Sequence, residues 1–117
     1  MRTDVLVAGS GAAGVCAAIE ARQAGAEVLL IESLPRFGGS SAMSGGVVYA
    51  GGGTALQKAL KVEDSVEQMY RFIALAGAIH PPLDKIQLYC EESAAHFYWL
   101  VAQGVPYTEK FSASKEL

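Results

Sequence analysis

Six residues near the start of the chain, GSGAAG at 9–14, restrict its fold more than any other stretch. They follow the apolar run DVLVA and open onto AAGVCAAIEA. Residues 4–8 carry apolar, partly β-branched side chains and stop at a glycine, which predicts a short buried strand. Residues 12–24 are small or apolar on nearly every face, which predicts a helix able to press closely on a sheet. Gly25 stands where a helix stop belongs. EVLLIE (27–32) predicts a second buried strand. Strand, helix and strand in so few residues require a parallel pair joined by a right-handed crossover. The fold class expected is α/β.

Each glycine of the hexapeptide has its own physical task. Gly9 permits the tight turn out of the strand, Gly11 lets a pyrophosphate approach the backbone, and Gly14 lets the helix lie close to the strand. The helix start offers unpaired N–H groups and a positive partial charge, both suited to phosphate. Glu32, at the end of the second strand, can accept hydrogen bonds from ribose hydroxyls. An acid there disfavours a 2′-phosphate, so NADP is the least favoured dinucleotide.

Two further features favour FAD over NAD. Ala18 and Gly25 extend the motif to GxGxxGxxxAxxxxxxG. After Glu32 the chain enters ESLPRFGGSSAMSGG instead of another helix. Paired glycines and hydroxyl residues can wrap a longer cofactor and donate to its phosphate and ribityl oxygens. Leu34, Phe37, Met43, Val47 and Val48 are interspersed, which favours an ordered segment over a bare loop. The stretch 37–54 holds seven of the 13 glycines, and VVYA (47–50) within it reads as a short strand. This places one division of the chain between residues 1–54 and 55–117.

The second part reads as helical. Asp64 is the expected N-cap of one helix, with Glu67 completing a capping box and Val66, Met69, Tyr70 and Ile73 at helical spacing. A second helix follows HPP (80–82), with Ile86, Tyr89, Phe97, Leu100 and Val101 along one stripe and Gly104 and Pro106 ending it. VPYTEKF then reads as a strand.

Composition limits the function classes. Hydrophobic residues make up 51% and charged residues 18%, enough apolar content for a core and against whole-chain disorder. The net charge of −3 lies entirely in residues 59–117, and no basic run exists, which argues against a nucleic-acid partner. Cys16 and Cys90 form no CxxC pair and join no His/Cys cluster. Reduced thiols in a cytoplasmic protein are the expectation. No run of 18 apolar residues predicts a membrane span. Asp4 and the glycines break the N-terminal apolar stretch, against a signal peptide.

Some residues invite functional readings that a plainer one outweighs. His96 lies one helical turn after Glu92, and a surface ion pair is expected there. His80 reads as loop. Tyr49 could face a flavin, but an aromatic side chain in a short strand is more often packing. Phe97, Tyr98 and Trp99 read as core of the second helix.

Taken together, GSGAAG, Glu32 and GGSSAMSGG resemble the N-terminal part of FAD-dependent oxidoreductases of the fumarate reductase/succinate dehydrogenase flavoprotein family. SGGVVYAGGGTALQKAL (44–60) and YCEESAAHFYWLVAQGVPY (89–107) are most similar to the 3-ketosteroid (Δ4) dehydrogenases. The resemblance implies a Rossmann-like FAD-binding βαβ part followed by two helices, incomplete in this chain. It implies cofactor contacts at Gly9, Gly11, Ala12, Ala13, Gly14, Glu32, Ser33, Gly38, Gly39, Ser40, Ser41, Ser44, Gly45 and Gly46. Some family members attach FAD through a histidine just before the hydroxyl pair. Gly39 occupies that place here, so non-covalent FAD is expected. Family members are several-fold longer, and their substrate cap and catalytic tyrosines or arginine lie further along. No catalytic residue or metal ligand is assigned in this chain.

The activity implied for the intact enzyme is hydride transfer to or from a C–C bond next to a carbonyl, with a small-molecule substrate such as a steroid. A fumarate/succinate-type reductase is the alternative. Two others are a binding module without redox chemistry, which would not need GGSSAMSGG, and an inactive, aggregation-prone fragment with uncovered sheet edges.

Overall fold

The computed structural model describes residues 2–77 and 79–107. The chain divides into two compact units, Met1–Val48 and Tyr49–Leu117.

The first unit is built on a two-stranded parallel sheet. Strands β1 (Val5–Ala8) and β2 (Val28–Ile31) pair in the register Val5–Val28 through Ala8–Ile31. Helix α1 (Ala12–Gln23) connects them and packs on both. At its end Gly25 adopts φ +92°, with Gly25 N–H donating to Arg22 O and Ala26 N–H to Ala21 O. This paired closure leaves few orphan carbonyls and turns the chain back toward the sheet. At the same end of the sheet the Asp4 carboxylate accepts from Glu27 N–H, while Asp4 N–H and Val5 N–H donate to Glu27 O.

The strands were expected to be buried. Instead β1 alternates, with Val5 and Val7 half-buried and Leu6 58% exposed, and β2 is half-buried over its first three residues with Ile31 exposed. Within this unit α1 covers one face of the sheet, and side chains of period two cannot all reach that face. Residues 39–43 form a single 3₁₀ turn (Gly39–Met43), entered through Gly38. The apolar residues of this segment form no core: Phe37 is 80% and Met43 83% exposed, and Leu34, Val47 and Val48 are exposed too. The expected strand at 47–50 is absent, since no carbonyl or N–H ladder reaches it among the described residues.

Among the described residues the second unit contains three helices where two were expected: α2 (Ala55–Ala59), α3 (Val66–Ala76) and α4 (Leu83–Ala102). The added helix α2 has its own start signal. Thr54 caps it and Gln57 returns the bond, a complete capping box. The N-cap of α3 is Ser65, whose Oγ accepts from Gln68 N–H, and not Asp64. Asp64 is engaged elsewhere: its Oδ2 accepts from Gly52 N–H at 2.8 Å and from Gln57 Nε2 at 2.7 Å. Glu67 consequently lies in the first turn and bonds Arg71 across an exposed surface.

Helices α3 and α4 pack together around a small core of Met69, Cys90 and Phe97. The buried face of α4 runs through Cys90, Ser93 and Phe97, not through Tyr89 and Val101, which are 43% and 46% exposed. Of the aromatic trio only Phe97 is buried, edge-on to Tyr98 and against Tyr107. Glycine-rich residues 51–54, grouped with the preceding loop on composition, bond into this unit. Gly51 N–H donates to Ser93 Oγ, and Gly53 and Thr54 N–H donate to Gln57 Oε1. Tyr89 Oη–H donates to Tyr49 O. A paired glycine, Gly104 at φ +87°, ends α4. Residues 105–107 form no strand, and the rest of the strand expected at VPYTEKF lies outside the described residues.

Candidate dinucleotide site

The site is a turn, a helix start and an acid, all within the first unit. Gly9 leaves β1 with φ +102°, a conformation that penalises any Cβ. Its N–H still bonds Ile31 O at 2.8 Å, so the turn begins as an extension of the sheet. Gly11 is the N-cap of α1, and Val15 N–H donates to Gly11 O as the first helical bond. Among the described residues no carbonyl receives the Ala13 and Gly14 N–H groups, the usual condition of a helix's first turn. Ala12 N–H donates to Ser41 Oγ at 3.3 Å.

Glu32 follows β2 and turns its carboxylate onto this turn. Its Oε2 accepts from Ser10 Oγ at 2.6 Å and from Ser10 N–H at 2.9 Å. Its Oε1 accepts from Leu34 N–H at 3.0 Å and Ser33 Oγ at 3.3 Å. These donors, chiefly the Ser10 hydroxyl, hold the Glu32 pKa down at about 2 from an ordinary 4.5. The group is therefore an anion across the physiological range, with no cation among the causes.

The glycine loop closes onto the same turn. Gly38 N–H donates to Ser10 Oγ at 3.0 Å. The backbone of Gly39 approaches Gly11, with a Cβ at Gly39 falling 3.6 Å from the Gly11 Cα. Further along the loop bonds to itself: Ser44 Oγ donates to Ser41 O at 2.8 Å, and Gly46 N–H donates to Ser44 Oγ at 3.2 Å.

The structure thus brings Gly9, Gly11, Ala12, Glu32, Ser33, Gly38, Gly39 and Ser41 into one bonded neighbourhood, with Ala13 and Gly14 in the adjoining helical turn. Ser44 is tied to it through Ser41, and Gly46 through Ser44, whereas no bond from the exposed Ser40 and Gly45 to it is seen among the described residues. Ser10 was not singled out in the sequence, because the motif treats its position as variable. Yet it is 2% exposed and makes three bonds that connect the acid, the turn and the loop. A serine between two motif glycines, with an acid ending the next strand, is the signal that could have found it.

Other candidates resolve plainly. His96 stacks on Trp99 with ring centroids 5.8 Å apart. The ion pair expected with Glu92 is not formed, and the ion pair among the described residues is Arg71–Glu67. His80 is exposed loop, and Tyr49 is 60% exposed, not the packing residue expected. Both cysteines are free. No described helix is long and apolar enough to cross a membrane, and no described cluster of His, Cys, Asp and Glu could hold a metal ion.

This arrangement of turn, helix start and acid is that of a dinucleotide-binding protein. Residues 4–116 match the family profile described as FAD binding domain, and the chain belongs to that family. The cofactor indicated is FAD. The chain is similar to a crystal structure of 3-ketosteroid-delta4-(5alpha)-dehydrogenase from Rhodococcus jostii RHA1 in complex with 4-androstene-3,17-dione. The two share 50% identity with a TM-score of 0.79, covering 92% of this chain and 22% of that one. It is also similar to the open conformation of a flavocytochrome c3 fumarate reductase, at 37% identity and TM-score 0.71, over 87% of this chain and 18% of that one. Urocanate reductase of Eggerthella lenta is 37% identical over 86% of this chain and 16% of its own length. The chain therefore spans about a fifth of the length of these proteins.

Proposed function

We propose that the chain is the FAD-binding N-terminal segment of a flavin-dependent oxidoreductase, with the Rossmann-like βαβ unit holding the adenosine diphosphate half. The observation that carries this reading is Gly11. Its φ of −67° suits any residue, and a Cβ there would meet nothing closer than Gly38 O at 4.0 Å. The protein itself has no need of glycine at that place, so the open space above it suits a ligand. The free N–H groups of Ala13 and Gly14 line the same helix start, and they suit a pyrophosphate. Glu32, ionised and half-buried, suits ribose hydroxyls.

Ser33, Gly38, Gly39, Ser40, Ser41, Ser44, Gly45 and Gly46 are the further contacts proposed, with Ser41 beside the helix start and the SGG segment toward the flavin half. Gly39 stands where a histidine would be needed for covalent attachment, so FAD is held without a covalent bond.

FAD, when bound, supplies acceptance or donation of a hydride at a carbon next to a carbonyl-activated position. The residues here bind and orient it, and no proton transfer is assigned to them. A 3-ketosteroid is the substrate class proposed, on the 50% identity to the steroid enzyme; a fumarate-type reductase is the second reading, on the similarity to flavocytochrome c3. The two free thiols fit a reducing compartment such as the cytoplasm.

The test uses the whole oxidoreductase of which this chain is proposed to be the N-terminal segment. Purification should yield a yellow protein whose flavin is released by acid precipitation. Anaerobic addition of a 3-ketosteroid should bleach the flavin, whereas bleaching by succinate alone would favour the second reading. A colourless protein that cannot be loaded with FAD would overturn the proposal.

A further inference from the structure

We infer that Ser10 is a positioning residue for ribose recognition: its hydroxyl and N–H occupy one oxygen of the Glu32 carboxylate and leave the other to read a ribose hydroxyl. The inference rests on the dinucleotide reading of this site. It starts from the count of lone pairs. A carboxylate offers about four acceptor positions, two on each oxygen. Ser10 fills both on Oε2, at 2.6 and 2.9 Å, from a position that is 2% exposed. That oxygen is turned inward and committed to the protein.

Oε1 differs. Leu34 N–H takes one position at 3.0 Å, and the second partner is the exposed Ser33 Oγ at 3.3 Å, near the limit of a hydrogen bond. Ser33 can rotate away at little cost, and a ribose hydroxyl can take its place. The exchange keeps the carboxylate fully bonded before and after binding. The acid is thus held in one orientation, and little ordering remains to be done when the cofactor arrives.

The Ser10 hydroxyl has a second partner. It accepts from Gly38 N–H at 3.0 Å while donating to Glu32. A hydroxyl bonded on both sides cannot swing, so the start of the glycine loop and the acid are fixed by one group. Alanine at this position would free both, while keeping the backbone N–H bond to Oε2.

The test compares ADP with 2′,3′-dideoxy-ADP as competitors of FAD on the full chain. Wild-type protein should bind ADP at least tenfold more tightly, the size expected for a hydrogen bond to a charged group. In Ser10→Ala this preference should fall to about threefold or less, because the carboxylate loses its shortest bond and keeps only backbone N–H donors to fix its orientation, while dideoxy-ADP loses little. Ser10→Cys, close in size but a weaker donor, should fall between them, and it serves as the readout if the alanine variant does not fold. Equal losses for both nucleotides would mean that Ser10 only supports the fold, and an unchanged preference would mean that Glu32 is oriented without it. Either result overturns the inference. Failure of wild-type protein to bind ADP at all would instead overturn the dinucleotide reading on which it stands.

Discussion

A Cβ built on Gly14 would stand 2.0 Å from the carbonyl oxygen of Gly9 and 3.4 Å from Val7 Cγ1. The obstacle is backbone, in the turn that leaves β1, and cannot rotate aside. Gly14→Ala should therefore push α1 off the sheet, at a cost of about 1–3 kcal/mol or more for an overpacked contact. Gly11→Ala is the informative contrast, since its Cβ has room and its φ is ordinary. Its stability should stay within about 0.5 kcal/mol of wild type, while FAD binding is lost or sharply weakened. Denaturant unfolding and FAD titration of the two variants separate the glycine the fold needs from the one the ligand needs.

The second unit depends on a polar knot in place of a large core. Asp64 Oδ2 receives Gly52 N–H and Gln57 Nε2, and Gln57 Oε1 receives Gly53 and Thr54 N–H. Removing either side chain strands backbone donors of a half-buried turn. Asp64→Ala and Gln57→Ala should each destabilise by about 1–3 kcal/mol. The double variant should cost less than the sum of the two, because both act on one network. Urea midpoints of the three variants measure this; strict additivity would show that the two side chains act independently.

Cys90 has no exposed surface, and burial, with Asp64 and Glu91 nearby, pushes its thiol pKa up. The thiolate is the reactive form. A thiol reagent should therefore leave Cys90 unmodified in native protein and modify it only on unfolding, while the partly exposed Cys16 remains the accessible thiol. Peptide mapping after alkylation with and without denaturant reads this directly, and rapid native labelling of Cys90 would show that the α3–α4 packing opens readily.

Much of the first unit was legible because its signals are local and covalent in origin. A strand, a turn that only glycine can make, a helix of small residues and a second strand follow one another without interruption, and the observed elements differ from the expected ones by at most one residue at each end. Burial was less legible, because which strand face is covered depends on what packs there, and α1 serves only one. In the second unit, Asp64 carried a sound N-cap signal but was taken by Gly52 and Gln57, leaving the cap to Ser65. Helix α2 was signalled by Thr54 and Gln57 at capping-box spacing and was overlooked within a glycine-rich stretch. Ser10 escaped for a different reason. Its importance comes from bonds to residues 22 and 28 positions away, which no local pattern encodes.

The same acid gives the protein a pH signature. The Glu32 pKa is lowered from 4.5 to about 2 by the Ser10 hydroxyl first, then by backbone N–H groups. A carboxylate with a depressed folded-state pKa binds fewer protons in the folded chain than in the unfolded one, so stability falls as pH falls. Its contribution is complete above about pH 4.5, declines below that, and is gone once pH passes below about 2. Between pH 6 and 8 it should be flat. Glu32→Gln cannot titrate, so the stability difference between wild type and this variant should stay constant near neutrality and shrink on acidification toward pH 2. Urea unfolding of both proteins at stepped pH measures that difference. A gap that stays constant down to pH 2, or one that shrinks already near neutrality, would mean that the Ser10 bonds do not hold the carboxylate ionised in the folded chain.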